Sequence, residues 1–398
     1  MEGRKKLLVS SILFWGDNKR VGLHYLTDFF IRRGFDVFWL TVPFSLLFFI
    51  KPTYIQEKVE RLKLALSKGK EYEIGDSKVI NGILLSAVHP IGGIPFLNSY
   101  FVIKNYLKLS YPLLGHLLKK YGFEKPDIFL FDTGGLNGDL LQFITPQSII
   151  YRLNDEVSGF YNDIRKEAPG RSILENEYFK KSDLILAASK PLHNYAVQKR
   201  DGPKGVYLLP NGVDVERFLK VEKEPAEYKK IPKPRAVYVG GLRILDWNLI
   251  ALVAKKNKSI SFIVIGPGKA PGNLPKNIYF LGEISCQKIP AYMQHSEVGL
   301  MPVKNVLQIQ KVERPLKFYE YLASGLPIVS VTYGKLKEGM SPYALFGNTP
   351  DEFSAAIQRA LAYSPEQRAK LKEAAKQFSW DKIYKDFEKI LEENDIFQ

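Results

Sequence analysis

Along the first 200 residues, short apolar runs alternate with helix-length segments. The run KLLVSSILF, beginning at Lys6, predicts a first strand, and Gly22 to Arg33 carries apolar residues at helical spacing before a stop at Gly34. FDVFWLTV predicts the second strand, and Gly82–Val88, Asp127–Phe131, Ser148–Arg152 and Asp183–Ala187 predict further ones. Strands separated by helices imply βαβ units and a mostly parallel sheet. After Pro210 the pattern restarts. A polar stretch, Val221–Pro234, leads to strands at Ala236–Val239, Ser261–Ile265, Ile278–Leu281, Val298–Met301 and Pro327–Val331. The simplest account is α/β, with one domain over 1–210 and a second over 211–380. In the closing segment 381–398, Ile383, Phe387, Ile390 and Leu391 fall on one helical face, which can pack on either domain or cross back to the first.

Composition narrows the class. With 398 residues, 45% of them hydrophobic and 25% charged, the chain is too apolar for disorder. Cys286 is its one cysteine, which excludes an internal disulfide and a cysteine-based zinc cluster. Lys+Arg outnumber Asp+Glu by 57 to 42, a net +15. The excess is spread, with 29 basic against 22 acidic side chains in 1–214 and 28 against 20 thereafter. With no basic arm, zinc-finger spacing or RNA-recognition signature, nucleic acid is not an expected partner, whereas anionic lipid or an anionic small molecule accounts for the charge. Leu7–Trp15 lacks the features of a secretory signal. The most apolar window, Trp39–Ile50, falls short of the ~20 residues that span a bilayer. The five histidines, His24, His89, His116, His193 and His295, form no H-x-x-x-H pair, so neither a metal site nor a cofactor is expected. His89, in a glycine-rich loop, is a structural residue or an acceptor-site one.

Candidate chemistry sits where strands end. Gly240-Gly241 and Gly266-Pro267-Gly268 follow predicted strands, where backbone amides and a following helix N-terminus favour a phosphate; tight turning alone explains them as well. Arg314–Ser330 (RPLKFYEYLASGLPIVS) combines a proline start, a helix, a glycine stop and an apolar strand. Lys317 and Glu320 share a face of that helix. The pair suits a nucleoside diphosphate, the cation meeting phosphate oxygens and the carboxylate accepting from ribose hydroxyls, or it forms a solvated salt bridge.

This segment resembles the nucleotide-sugar segment of GT-B glycosyltransferases. SDLILAASKPL (182–192) and LPNGVDVERF (209–218) resemble the end of the N-domain and the interdomain junction of the same superfamily; the motifs stand in the right order and are joined by Glu175/Glu177 and the two glycine turns. The resemblance implies two Rossmann-like domains facing an interdomain cleft, with the donor held by the second and the acceptor by the first. It implies that Lys317 contacts the diphosphate and Glu320 the ribose. Gly240 and Gly241 would lie close to the donor, and Glu283, in LGEI, would contact the base or nearby sugar. Asp132-Thr133-Gly134-Gly135 resembles the loop that closes the acceptor side, or is a simple turn.

Many retaining relatives carry two glutamates eight positions apart around this helix. Here Val312 occupies the earlier position and Glu313 is one residue out of register, which favours inversion. An inverting transfer needs a general base. Asp155, in YRLNDE at a strand end, matches the aspartate of a similar motif in GumK-like membrane-associated glucuronosyltransferases of glycosyltransferase family 70; a helix N-cap is the plainer alternative, and Glu156 is the reserve. That resemblance implies a UDP-sugar donor, glucuronic acid as the sugar and a lipid-linked saccharide acceptor. The enzyme would then be cytoplasmic and peripheral at the inner face of the cell membrane. Trp39–Ile50 and Tyr100–Phe123, with their interleaved lysines, are the segments suited to a membrane surface. A retaining family 4-type transferase, a UDP-sugar epimerase and a catalytically silent nucleotide-sugar sensor are the rival readings.

Overall fold

The computed structural model describes residues 4–16, 20–45, 55–88, 90, 94, 96–136, 138–156 and 169–396. The chain divides into two compact units, one of residues 1–209 with 387–398 and the other of 210–386.

In the first unit the strands are β1 (Lys6–Ser11), β2 (Asp36–Ser45), β3 (Lys70–Ile74), β4 (Ser77–Ser86), β5 (Ser110–Tyr111), β6 (Ile128–Asp132), β7 (Ser148–Leu153), β8 (Leu184–Ala187) and β9 (Val206–Leu208). They run in the order β3-β4-β2-β1-β6-β7-β8-β9, with β5 beside β4. The pairings of β3 and β5 with β4 are antiparallel and the others parallel. β1 is central, and Leu7, Leu8 and Val9 are fully buried because helices cover both faces of such a sheet. The order reverses between β1 and β6, and loops diverge above such a switch point.

The same position explains Trp39–Ile50. Residues 39–45 belong to β2, clamped between β1 and β4, and Trp39, Leu40 and Phe44 are buried. Their apolarity is that of an inner strand, so this part of the segment offers nothing to a membrane; residues 46–50 lie outside those described. The β3–β4 hairpin departs from the sequence reading. KEYEI is a largely exposed edge strand with too few apolar positions to show a strand pattern, and Gly75 (φ 57°) turns it into β4.

The second unit holds β10 (Arg235–Val239), β11 (Ser261–Ile265), β12 (Ile278–Gly282), β13 (Val298–Met301), β14 (Ile328–Ser330) and β15 (Ala344–Phe346). All are parallel, in the doubly wound order β12-β11-β10-β13-β14-β15, with the switch point between β10 and β13. Tyr228, Tyr238 and Tyr321 are buried in its core.

The closing helix, Trp380–Glu393, serves both cores. Trp380 takes its place in the second unit, where its amide donates to the Val213 carbonyl (3.2 Å). Phe387 is fully buried in the first, 4.9 Å from the Phe29 ring and 5.7 Å from that of Phe30, and Glu388 pairs with Arg33. Replacing Phe387 with Ala is expected to cost about 3–5 kcal/mol, the range for emptying a buried aromatic site. Hydrogen exchange of β1 and β2 amides measures this loss; unchanged protection there would remove 387–398 from the first unit's core.

Candidate functional site

Three neighbouring strands of the second unit end on glycines. Gly240, Gly266 and Gly282 follow or close β10, β11 and β12 with φ of 152°, 151° and 74°. The ladder continues through them: Gly240 donates to the Ile265 carbonyl (2.9 Å) and Gly266 to that of Gly282 (2.8 Å). A Cβ on Gly266 would lie 1.9 Å from the Gly240 oxygen, so the backbones approach too closely for any side chain. Glu283 follows Gly282 and is exposed.

The helix Leu316–Ala323 is laid against this edge. Pro315 enters it in an extended conformation and Gly325 (φ 69°) ends the turn beyond it. β10 pairs with β13 at Ala236 and Val237 and then diverges from it. Into that divergence the helix inserts the Tyr321 hydroxyl, which accepts from the Val239 amide and lies within donating distance of the Val237 carbonyl (both 3.1 Å). Gly299 of β13 makes the room, since a Cβ there would come 2.8 Å from the Tyr321 ring.

One turn before Tyr321, Lys317 reaches the end of β10. Its Nζ lies 4.7 Å from the centroid of the Tyr238 ring and 2.6 Å from where a Cβ on Gly240 would stand. The Tyr238 hydroxyl donates to the Gly241 carbonyl (2.9 Å), and burial raises its pKa, so the ring stays neutral beneath the cation. The structure therefore brings Lys317, Gly240 and Gly241 together. Glu320 is half-buried on the same helix, and Glu283 stands two strands away along the sheet edge. An ammonium, a helix N-terminal turn and glycine backbone at one sheet edge suit an anion.

Asp155 belongs to the first unit. It is half-buried just past β7, and the Thr133 hydroxyl donates to its carbonyl (2.8 Å). Thr133 lies in the turn that follows β6, where the Gly135 amide donates to Asp132 Oδ1 (2.6 Å) and Ser10 Oγ donates to the Gly135 carbonyl (2.8 Å). A Cβ on Gly135 would sit 2.0 Å from the Ser10 oxygen, so glycine is required where this turn crosses β1. Beneath it the Tyr151 hydroxyl lies 3.3 Å from Thr133 Oγ1 and 2.7 Å from Glu175 Oε1, and Tyr195 donates to Glu175 Oε2 (3.3 Å). Burial pushes the Asp132 and Glu175 carboxyls up to about 7 each. Glu156 is half-buried beside Asp155.

The sequence reading missed Tyr238, Tyr321 and Gly299 in one unit and Thr133, Tyr151 and Glu175 as an interacting set in the other. A glycine inside a short buried strand, Gly299, was the one local signal that a bulky side chain approaches. His24 is structural: its ring packs 4.5 Å from that of Trp39, and burial lowers its pKa to about 4. His89 lies outside the described residues. Among the described residues no three His, Cys, Asp or Glu side chains gather as a metal site.

Comparison with known proteins places these features in context. Residues 233–363, which hold the glycine turns and Lys317, match the family described as Glycosyl transferases group 1. The chain is 26% identical over 227 residues to TuaH of Bacillus subtilis (strain 168), named as a teichuronic acid biosynthesis glycosyltransferase; the match spans 50% of this chain and 57% of TuaH. Among solved structures, sucrose-phosphate synthase from Thermosynechococcus elongatus superposes with a TM-score of 0.66 at 15% identity, covering 98% of this chain and 99% of that one. HepE of Anabaena, in complex with UDP and glucose, superposes with a TM-score of 0.63 at 13% identity, covering 98% and 100%. These likenesses establish the fold as GT-B, with two Rossmann-like units.

The raised carboxyls have a consequence for stability. Asp132 and Glu175 stay protonated in the folded chain up to about pH 7, whereas unfolded carboxyls ionise near pH ~4. Between those values the folded state binds more protons, so stability falls as pH rises from about 4 to about 7. Asp132→Asn keeps the acceptor for Gly135 and removes that group's share. Its melting temperature, relative to that of the unsubstituted protein, is expected to climb across this window; a constant difference would contradict the assignment.

Proposed function

We propose that this protein is an inverting glycosyltransferase. It moves a sugar from a UDP-sugar to a lipid-linked saccharide in polysaccharide biosynthesis. The observation that carries the reading is the Lys317 ammonium lying against the bare backbone of Gly240 at the β10–β13 switch point. In α/β sheets, ligands bind outside the carboxyl ends of strands at such a point. There the ammonium and the first turn of its helix meet the diphosphate, Glu320 takes the ribose hydroxyls, and Gly241 and Glu283 line the donor. Support for UDP as the nucleotide comes from HepE, a GT-B protein solved with UDP and glucose. The name of TuaH supports a polysaccharide product.

Asp155 takes the proton from the acceptor hydroxyl as that oxygen attacks the anomeric carbon. The bond from that carbon to the diphosphate oxygen breaks, and Lys317 stabilises the departing UDP. Charge stabilisation aimed at the leaving group is the larger contribution in such reactions. Inversion follows from a single displacement and agrees with Val312 standing where retaining relatives carry a glutamate. Glucuronic acid as the sugar rests on the GumK-like strand end at Asp155.

Asp155→Asn is expected to leave UDP affinity, measured by calorimetry, unchanged while transfer falls ~10²-fold or more, the scale of lost general-base catalysis. Lys317→Ala should weaken UDP binding about tenfold or more, as loss of a charge-assisted contact does. Normal transfer by the first variant or normal UDP affinity of the second would overturn the corresponding role. NMR of the product anomer decides between inversion and retention.

A membrane surface for the acceptor is supported by residues 101–113, where Phe101 (70% exposed), Leu109 (60%), Tyr111 and Leu113 project beside exposed Lys108. Lys119 and Lys120 are exposed on the helix that follows. Apolar side chains among cations suit insertion beside anionic headgroups. Among the described residues no helix is long and apolar enough to cross a membrane. The protein is expected to float with phosphatidylglycerol vesicles at low salt and to lose binding with Phe101→Asp plus Leu109→Asp. Failure of the unsubstituted protein to float would reject the surface.

A further inference from the structure

We infer that Thr133, Tyr151 and Glu175 are positioning residues that fix the Asp155 turn through a hydrogen-bond chain running in one direction. The chain is complete when Glu175 is neutral. The inference rests on the reading of Asp155 as the base.

The direction follows from counting protons. The Asp155 carbonyl can only accept, so the single hydroxyl proton of Thr133 lies on that 2.8 Å contact. Thr133 Oγ1 must then accept at its 3.3 Å contact with the Tyr151 hydroxyl, which places the phenolic proton there. With that proton committed, the 2.7 Å contact between Tyr151 and Glu175 needs a hydrogen from Glu175. A neutral carboxyl supplies it. An ionised one takes the phenolic proton for itself and leaves Tyr151 and Thr133 facing each other with no hydrogen between them. The Asp155 amide lies 3.5 Å from the same Thr133 oxygen, so both backbone groups of Asp155 meet this hydroxyl.

The surroundings hold Glu175 near the changeover. Burial favours the neutral form, as does the charge of Glu156 from the loop after β7. Tyr151 of β7 and Tyr195 of the helix Lys190–Lys199 donate to the ionised form, and Lys199 of that helix also favours the charge. Tyr100 and Lys104, from the helix Tyr100–Asn105, meet the neighbouring Glu177 instead. Protonation of one buried carboxyl is thereby tied to how firmly the Asp155 turn is held.

Hydrogen–deuterium exchange of the full chain, read on the peptide covering 150–156 and corrected for intrinsic rates, tests this without a substrate. Protection there should fall several-fold as pH rises through neutrality in the unsubstituted protein. In Glu175→Gln, whose amide donates to Tyr151 at every pH, protection should show no such fall. In Tyr151→Phe it should be low throughout, and turnover should drop about tenfold, the effect of one lost hydrogen bond, with the donor KM unchanged. A fall that persists in Glu175→Gln, or full protection in Tyr151→Phe, overturns the inference. Asp155→Asn separates the two layers: undiminished transfer by that variant defeats the base assignment, and with it the catalytic meaning of the chain, whatever the exchange shows.

Discussion

A missing side chain is the constraint on which the second unit's site depends. Any residue larger than glycine at 240 would occupy the space that Lys317 Nζ fills, and any at 266 would strike the Gly240 carbonyl. With both positions bare, a helix can bring its first turn to the tip of β10. Tyr321 then secures it, giving Val239 the partner that β13 cannot supply after diverging from β10. The ammonium is thus held before any ligand arrives. A positive charge fixed over a neutral ring and glycine backbone is organised for an anion, and charge held in advance needs no reorganisation when a leaving group departs.

The first unit meets the same topology with a different set of groups. Its sheet also reverses beside the central strand, and there too a glycine, Gly135, is pressed against the neighbouring backbone. What gathers around that crossing is mostly carboxyl groups, Asp132 in the turn, Asp155 and Glu156 past β7, and Glu175 below, with the buried Arg152 guanidinium acting on Asp132. The net charge of +15 is therefore no guide to the character of either edge. Local composition at the strand ends sets that character, with a lysine at glycine backbone in one unit and carboxyl groups in the other, and the proposed roles are built on that difference.

Much of this was legible in the sequence because it is written locally. Strand cores, glycine stops and the Arg314–Ser330 segment each lie within a window of under about 18 residues, the span over which periodicity and turn chemistry are read. Lys317 and Gly240 are each marked by their local sequence, yet their meeting is not, since 240 and 317 are 77 positions apart and no pattern spans that distance. The tyrosines were opaque for another reason. Tyr238, Tyr321 and Tyr151 read as core aromatics, and they are; their hydroxyls acquire roles through backbone groups that only the folded sheet presents. Trp39–Ser45 shows the reverse error, in which an inner strand buried on both faces has the composition of a segment made for lipid.

Glu175 presses the question of why a carboxyl is buried at all. Removing it from water is costly, and an apolar residue of similar size would fill the site with a smaller penalty. Tyr151 and Tyr195 recover part of that cost through their hydrogen bonds to the carboxyl. Stability alone would favour replacing the whole set with hydrocarbon. The set does what hydrocarbon cannot: it reaches, through two hydroxyls, the backbone of the turn that carries Asp155, and holds that turn by directional bonds. A base must sit within hydrogen-bond reach of the proton it removes. If Asp155 is that base, as proposed, rigid placement of the turn is a gain that packing area does not measure, and it accounts for polar groups at this depth.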